Sequence, residues 1–166
     1  MPRALKAARR AGAVALTLAA VGFLSPSPAQ AAVTYSTLVN GNSFQCLAIP
    51  HASGANDVVP VQWPCSDDAE QQWYLKPQAD GRVTIINKNS QKCLVVGGAT
   101  SGTKPIQWTC DSDNPPGRQD LWIHDSDFRL RSMYANLCLA IPNSSTTSGI
   151  EPILWTCNTN NDQTWQ

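Results

Sequence analysis

After residue 31, hydrophobic residues occur in short runs, and none of these runs follows a helical period. Segments such as Val83-Thr84-Ile85-Ile86 and Phe128-Arg129-Leu130 are separated by clusters of Gly, Asn, Ser and Pro. Short apolar runs bounded by turn residues are typical of β-strands. The pattern therefore predicts an all-β domain.

The N-terminal segment has a different pattern. An apolar run from Ala11 to Leu24 is too short to span a bilayer and is followed by the small residues of Ala29-Gln30-Ala31. Its basic start contains Arg3, Lys6, Arg9 and Arg10. These features predict a secretory signal peptide over residues 1–31, with a retained membrane anchor as the alternative. We expect a secreted, extracellular mature chain that begins near Ala32 and has no membrane attachment after cleavage.

Three copies of one motif occupy residues 32–166. Cys46-Leu47-Ala48-Ile49-Pro50 recurs as Cys138-Leu139-Ala140-Ile141-Pro142, with Cys93-Leu94-Val95-Val96 as the middle copy. Each copy continues through a polar loop to Pro-x-x-Trp-x-Cys, at 60–65, 105–110 and 152–157, and ends on Trp73, Trp122 or Trp165. The repeats run roughly over 35–78, 79–124 and 125–166. Because such repeats cannot each bury a hydrophobic face alone, we expect one shared core in a closed threefold arrangement, with an extended solenoid as the alternative.

Six cysteines follow the predicted cleavage site, as expected for a disulfide-bonded secreted domain. Six cysteines allow 15 connectivities, but successive pairs are separated by 19, 17 and 19 residues. This regular spacing predicts the disulfides Cys46–Cys65, Cys93–Cys110 and Cys138–Cys157. A zinc site would need close pairs such as C-x-x-C, which the chain lacks, so we predict no metal and no other cofactor.

The combination of C-L-x-[IV], a polar loop, Q-W-x-C and a final Q-x-W, repeated three times with Leu154 and Asp120 in place of a glutamine, resembles the ricin-type (ricin B-like) β-trefoil lectin and carbohydrate-binding module family. The resemblance covers residues 32–166. It implies an all-β fold of the β-trefoil type, in which a six-stranded barrel is capped by three hairpins. It also implies up to three shallow sugar sites, one per repeat, and a glycan or polysaccharide as the partner.

The resemblance assigns a role to several positions in each repeat. The aromatic residue that stacks on a sugar in the family corresponds to Trp63, Trp108 and Trp155. Polar positions that would bind sugar hydroxyls correspond to Glu70, Gln71, Gln119, Asp162 and Gln163, with Asp120 where the middle repeat lacks the glutamine. The closing tryptophans belong to the family's structural Q-x-W and are expected in the core. The family's main hydroxyl acceptor, an aspartate, is replaced in every repeat, by Ala48, Val95 and Ala140.

Charge and composition restrict the remaining functions. Residues 32–166 contain eight Lys and Arg against twelve Asp and Glu, so this mildly acidic chain is not expected to bind nucleic acid. The same segment has only two histidines and no nucleophile-elbow or phosphate-loop motif, so we expect no enzymatic activity. Its 135 residues fit one domain, expected to be a monomer.

Two hypotheses of function follow. The first is a lectin-like module with two or three weak sites that act together. The second is a trefoil that has lost sugar binding and contacts a protein, for example to inhibit a secreted protease. The loops Asp111 to Gly117 and Asn158 to Asp162 are the candidate contact segments for that role.

Overall fold

The computed structural model of the chain describes residues 32–110 and 119–166. The predicted signal peptide and the loop Asp111 to Gly117 lie outside the described residues. Among the described residues, no helix has both the length and the apolar character that a membrane crossing requires.

The described residues form strands and short 3₁₀ turns, which confirms the all-β prediction. The strands are β1 Ser36–Thr37, β2 Cys46–Ala48, β3 Val61–Trp63, β4 Gln72–Pro77, β5 Val83–Asn87, β6 Cys93–Val96, β7 Pro105–Trp108, β8 Leu121–His124, β9 Leu130–Ser132, β10 Cys138–Ala140 and β11 Ile153–Trp155. The 3₁₀ turns are Pro50–Ala52, Ala69–Gln71, Ala79–Gly81, Pro142–Ser144 and Asn161–Gln163. Strands β1, β4, β5, β8, β9, β10 and β11 follow one another in a sheet that β6 and β7 join through β5, while β2 and β3 form a separate hairpin.

The three hairpins that contain the motif share one register. The first cysteine of each pairs with the exposed tryptophan opposite, in β2–β3, β6–β7 and β10–β11. The predicted disulfides Cys46–Cys65, Cys93–Cys110 and Cys138–Cys157 are all present, each with a Cα–Cα distance of 5.0 Å. Because every described cysteine is paired, none is left to bind zinc.

The three closing tryptophans lie at the centre of the core, as predicted. Trp73, Trp122 and Trp165 have no exposed surface. Each indole Nε1 donates a hydrogen bond to the carbonyl of the leucine that follows the first cysteine of its repeat; the acceptors are Leu47 at 2.8 Å, Leu94 at 2.9 Å and Leu139 at 3.1 Å. This bond satisfies the only polar atom of the ring, so the whole indole can be buried without an unpaired donor.

Each polar loop crosses to a neighbouring repeat and pairs with its central strand residue. The exchanged pairs are Gly149 and Ile150 with Gln62, Asp57 and Val58 with Gln107, and Gly102 and Thr103 with Leu154, at N–O distances of 2.7–3.0 Å. The loop of the third repeat thus lies on the first, that of the first on the second, and that of the second on the third. This cycle supports the closed threefold arrangement over the solenoid.

The barrel closes between residues near the two ends of the described chain. The backbone amide of Val39 donates to the Gln166 carbonyl at 2.7 Å, and the amide of Gln166 donates back to Val39 at 2.9 Å. Asn40 and Trp165 form a further antiparallel bridge beside this pair. No strand edge is therefore left open at this seam.

Candidate functional site

Three tryptophans are exposed at equivalent positions in the three repeats. Trp63, Trp108 and Trp155 are 50%, 45% and 48% exposed, whereas the closing tryptophans are fully buried. Each ends a strand whose preceding residue points into the protein. Because side chains alternate across a strand, the tryptophan must point outward.

The first of these tryptophans borders a cleft of about 470 Å³. Its lining is largely apolar and includes Ala48, Val61 and Trp63, with Glu70 as the acidic group. The loop of the third repeat supplies one wall, because a Cβ atom added at Gly149 would lie 3.6 Å from Cζ3 of Trp63. This site therefore depends on the loop exchange between repeats.

A second cleft, of about 260 Å³, surrounds Trp155 in the third repeat. Its lining is richer in polar groups, with Asn143, Ser144, Asn160 and Asp162 around the ring. In the middle repeat, residues 111–118, which follow Cys110 in the sequence, lie outside the described part of the chain.

The predicted polar residues Glu70, Gln119 and Asp162 occupy equivalent backbone positions. Their carbonyls accept hydrogen bonds from the amides of Ile49, Val96 and Ile141, at 3.1, 3.0 and 3.0 Å. Their side chains differ in availability. Glu70 is half-buried, and its carboxylate accepts no hydrogen bond from the described residues. Asp162 is 7% exposed, and its carboxylate accepts one from the Ser144 hydroxyl at 3.2 Å. Gln119 is exposed.

The predicted glutamines Gln71 and Gln163 are buried. In each, the oxygen and the nitrogen of the side-chain amide form hydrogen bonds with backbone atoms of the same loop. Gln71 accepts from the Ser66 amide at 2.9 Å and donates to the Pro64 carbonyl at 3.1 Å. Gln163 does the same with the Asn158 amide and the Thr156 carbonyl, both at 2.9 Å. These amides hold the loop after the second cysteine in place.

The absence of the family aspartate makes the floor of both clefts apolar. Ala48 lines the first cleft and Ala140 the second, with exposures of 4% and 2%. A methyl group at this position offers no acceptor to a hydroxyl, so hydrogen bonding must come from the rim.

Buried side chains that the sequence reasoning missed position these rims. Asn40 donates through Nδ2 to the Asp162 carbonyl, and Asn87 donates to the Glu70 carbonyl, both at 2.9 Å. Their Oδ1 atoms accept amide hydrogen bonds from the turns that follow. The repeated Asn-x-Asn-Ser at 40–43 and 87–90, six residues before a first cysteine, was the available signal. In the third repeat Ser132 takes this position, and its hydroxyl accepts a hydrogen bond from the Ala135 amide.

Solved structures show the same architecture. ThreeFoil, a designed threefold-symmetric protein, is 25% identical, with a TM-score of 0.73 over 80% of this chain and 96% of its own. The exo-β-1,3-galactanase 1,3Gal43A from Clostridium thermocellum is 26% identical, with a TM-score of 0.71 over 81% of this chain and 29% of its own. The Rhizoctonia solani agglutinin is 17% identical, with a TM-score of 0.69 over 84% of this chain and 97% of its own. This chain therefore corresponds to less than a third of the galactanase.

The family comparison covers nearly all of the described residues. A search among curated proteins finds no match. Residues 34–166 match the family described as the ricin-type beta-trefoil lectin domain. The three disulfide-closed hairpins, the buried closing tryptophans and the cyclic loop exchange agree with that match. The chain belongs to the ricin-type β-trefoil lectin domain family.

Proposed function

We propose that this protein is a secreted, non-catalytic lectin-like protein that holds glycans on Trp63, Trp108 and Trp155. The observation that carries the proposal is the exposure of these three rings, close to one half each, at equivalent positions of three disulfide-closed hairpins. An exposed indole offers an apolar surface on which the C–H face of a sugar can stack. The three disulfides support an extracellular location, since such bonds persist in oxidising compartments.

In the first repeat, the Trp63 ring and the apolar floor take the sugar face. The Glu70 carboxylate is the hydroxyl acceptor, because it lines the same cleft and has no partner among the described residues. Hydrogen bonds to an ionised carboxylate are stronger than those between neutral groups, so this residue sets much of the selectivity. Gln71 acts through the loop that it holds.

In the third repeat, Trp155 takes the sugar face and Asp162 accepts hydroxyls together with Asn143 and Asn160. The Ser144 hydroxyl already occupies one oxygen of Asp162, so this carboxylate has less capacity left for a ligand. Gln163 holds the loop, as Gln71 does. In the middle repeat, the exposed Trp108 and Gln119 form the corresponding pair.

Each site lacks the family aspartate and is therefore weak alone. Three weak sites on one rigid frame still give strong retention when a repeating polymer engages them together. The ligand class that fits this arrangement is a polysaccharide or a densely glycosylated surface.

The test is retention of the purified chain 32–166, with its disulfides intact, on a glycan array and on insoluble plant and fungal polysaccharides. Trp63→Ala and Trp155→Ala should each weaken retention by about tenfold, the equivalent of one aromatic contact. Both should leave the thermal transition nearly unchanged, because removal of a fully buried tryptophan would instead cost about 3–5 kcal/mol. Tyr134→Ala is the matched control, since this ring is 40% exposed and lines neither cleft.

A soluble sugar that releases the protein would identify the ligand. No retention on any of these materials would contradict the proposal and favour a protein partner instead.

A further inference from the structure

Another exposed aromatic ring borders a cleft that contains none of the three site tryptophans. Phe128 is 47% exposed and lies in the hairpin between β8 and β9. The cleft measures about 390 Å³, and its lining includes Asp127, Phe128, Asn158, Thr159, Asn161 and Gln166. It combines an aromatic ring with several amides and a hydroxyl.

The backbone at Phe128 is in a conformation that disfavours a bulky side chain. Its φ of +60° lies in the left-handed region, at a tight hairpin closed by bonds from the Phe128 amide to the Asp125 carbonyl and from the Asp125 amide to the Arg129 carbonyl. Glycine or asparagine is the usual residue there. About half of the residue stays exposed, and its described aromatic contact is a tilted one with His124 at 6.0 Å between centroids. Phenylalanine at this position thus keeps a half-exposed ring beside the cleft in a backbone conformation that disfavours it.

The charged groups beside the ring are one cation and two carboxylates, which bond to one another. The Arg129 guanidinium donates from Nε to Asp125 at 2.9 Å, from one terminal nitrogen to Asp127 at 2.7 Å and from the other to the Asn158 carbonyl at 3.1 Å. Two carboxylates thus more than balance the single cation. The cleft is unsuited to an anionic ligand and suits a neutral one.

Several polar side chains in the cleft remain available. The side chains of Thr159, Asn161 and Gln166 make no hydrogen bond within residues 32–110 and 119–166. Amides and hydroxyls carry both donors and acceptors, as the hydroxyl groups of a sugar require. The chemistry of the cleft therefore matches a neutral sugar.

Asn158 connects this cleft to the one around Trp155, because it lines both. We propose that the Phe128 cleft is an additional sugar subsite, which extends the Trp155 site so that the third repeat binds a neutral oligosaccharide of two or more units. This inference rests on the proposed function, since it needs the third repeat to bind glycan. The first repeat has no counterpart to this ring. Ser36 lies ten residues before Cys46, at the position that Phe128 occupies ten residues before Cys138.

The experiment isolates the third repeat in the Trp63→Ala/Trp108→Ala background. Neutral oligosaccharides of increasing length from β-1,3-galactan, cellulose, chitin and mannan are titrated on an array, beginning with the monosaccharides. Phe128→Gly should leave monosaccharide affinity unchanged and lower the affinity for longer chains by about tenfold. Its thermal midpoint should stay equal or rise, because glycine is favoured at this φ.

Phe44→Gly is the matched control. Phe44 is also exposed, at 77%, has a φ of +57° and lines neither cleft of the third repeat. This change should leave the affinity for every length of oligosaccharide unaltered.

Four outcomes would overturn the inference. If Phe128→Gly binds every length as its parent does, while Trp155→Ala abolishes binding, the subsite is absent and the proposed function stands. If Phe128→Gly lowers the thermal midpoint and weakens all lengths equally, the ring only supports the hairpin. If the wild type binds but the double variant does not, the third repeat is not a site. If the wild type binds no sugar, both proposals fail.

Discussion

Replacement of Gln62 by leucine should destabilise the whole trefoil and open the first cleft. Gln62 is fully buried, and its Nε2 donates to the carbonyls of Ser145 and Thr147 at 2.9 and 2.7 Å. Its Oε1 accepts a hydrogen bond from the Ser43 hydroxyl at 2.8 Å. The third repeat carries Leu154 at the equivalent position, so a leucine of this shape fits the fold. The loss of stability in Gln62→Leu therefore measures the contribution of the side-chain hydrogen bonds of Gln62.

The expected magnitude follows from those three bonds. Each contributes about 0.5–1.5 kcal/mol net, so the free energy of unfolding should fall by roughly 2–4 kcal/mol. For a domain of this size the thermal midpoint should fall by about 6–15 °C. Because the loop that loses these bonds carries Gly149, retention at the Trp63 cleft should weaken as well.

Urea unfolding followed by tryptophan fluorescence measures the free energy, and Gln72→Leu is the control. The Gln72 amide bonds the Asp67 carbonyl and the Lys88 amine at the exposed surface, so its loss should change stability by less than about 0.5 kcal/mol. A Gln62→Leu variant as stable as the wild type would show that these three side-chain hydrogen bonds contribute nothing to stability, and the reasoning would be wrong.

Three further predictions concern single positions. Ala48→Asp should raise glycan affinity at the first cleft by about tenfold or more, because an added carboxylate there accepts hydrogen bonds from sugar hydroxyls. Calorimetry measures this affinity and should show a smaller gain for Ala48→Asn. A folded Ala48→Asp variant with no gain in affinity would refute the idea. Trp73→Phe should cost about 2–4 kcal/mol in urea unfolding, since it leaves the Leu47 carbonyl unpaired and a void beside it; a cost below 1 kcal/mol would contradict this. Burial raises the pKa of Asp125, but hydrogen bonds from Arg129 and from the Asp127 amide, together with the Arg129 charge, outweigh burial and hold that pKa below the usual value. The resulting stability is present above about pH 3.9 and lost as the pH falls through the lower folded value, so stability curves for wild type and Asp125→Asn should converge only in strong acid.

Much of the fold could be predicted because the same motif of cysteines and tryptophans occurs three times in the sequence. Identical spacing of Cys46 and Cys138 to their partners determined the disulfides, and the repeated closing Trp73 and Trp165 indicated the core. These features depend on short local distances within a repeat. A pattern that recurs in three copies identifies positions whose role is the same in each.

The details of the candidate sites depend on contacts between repeats, which local patterns do not encode. In the sequence, Gln62 is a polar residue next to Trp63, and nothing local predicts its burial. It is buried because the loop of the third repeat packs over it. Gln71 reads as a sugar ligand, yet its amide is taken by its own loop. The Phe128 cleft joins the hairpin that follows β8 to residues 158–166, which are some thirty residues away in the chain.

The pairing of Val39 with Gln166 has a consequence for the order of folding. Each disulfide joins cysteines that are 17 or 19 residues apart, so the three cross-links can form early at a small cost in chain entropy. The barrel seam and the burial of Trp165 need residues 165 and 166, which follow all six cysteines in the sequence. The disulfides can therefore form before the barrel seam closes. Closure of the seam then joins the three disulfide-bonded hairpins into one cooperative unit.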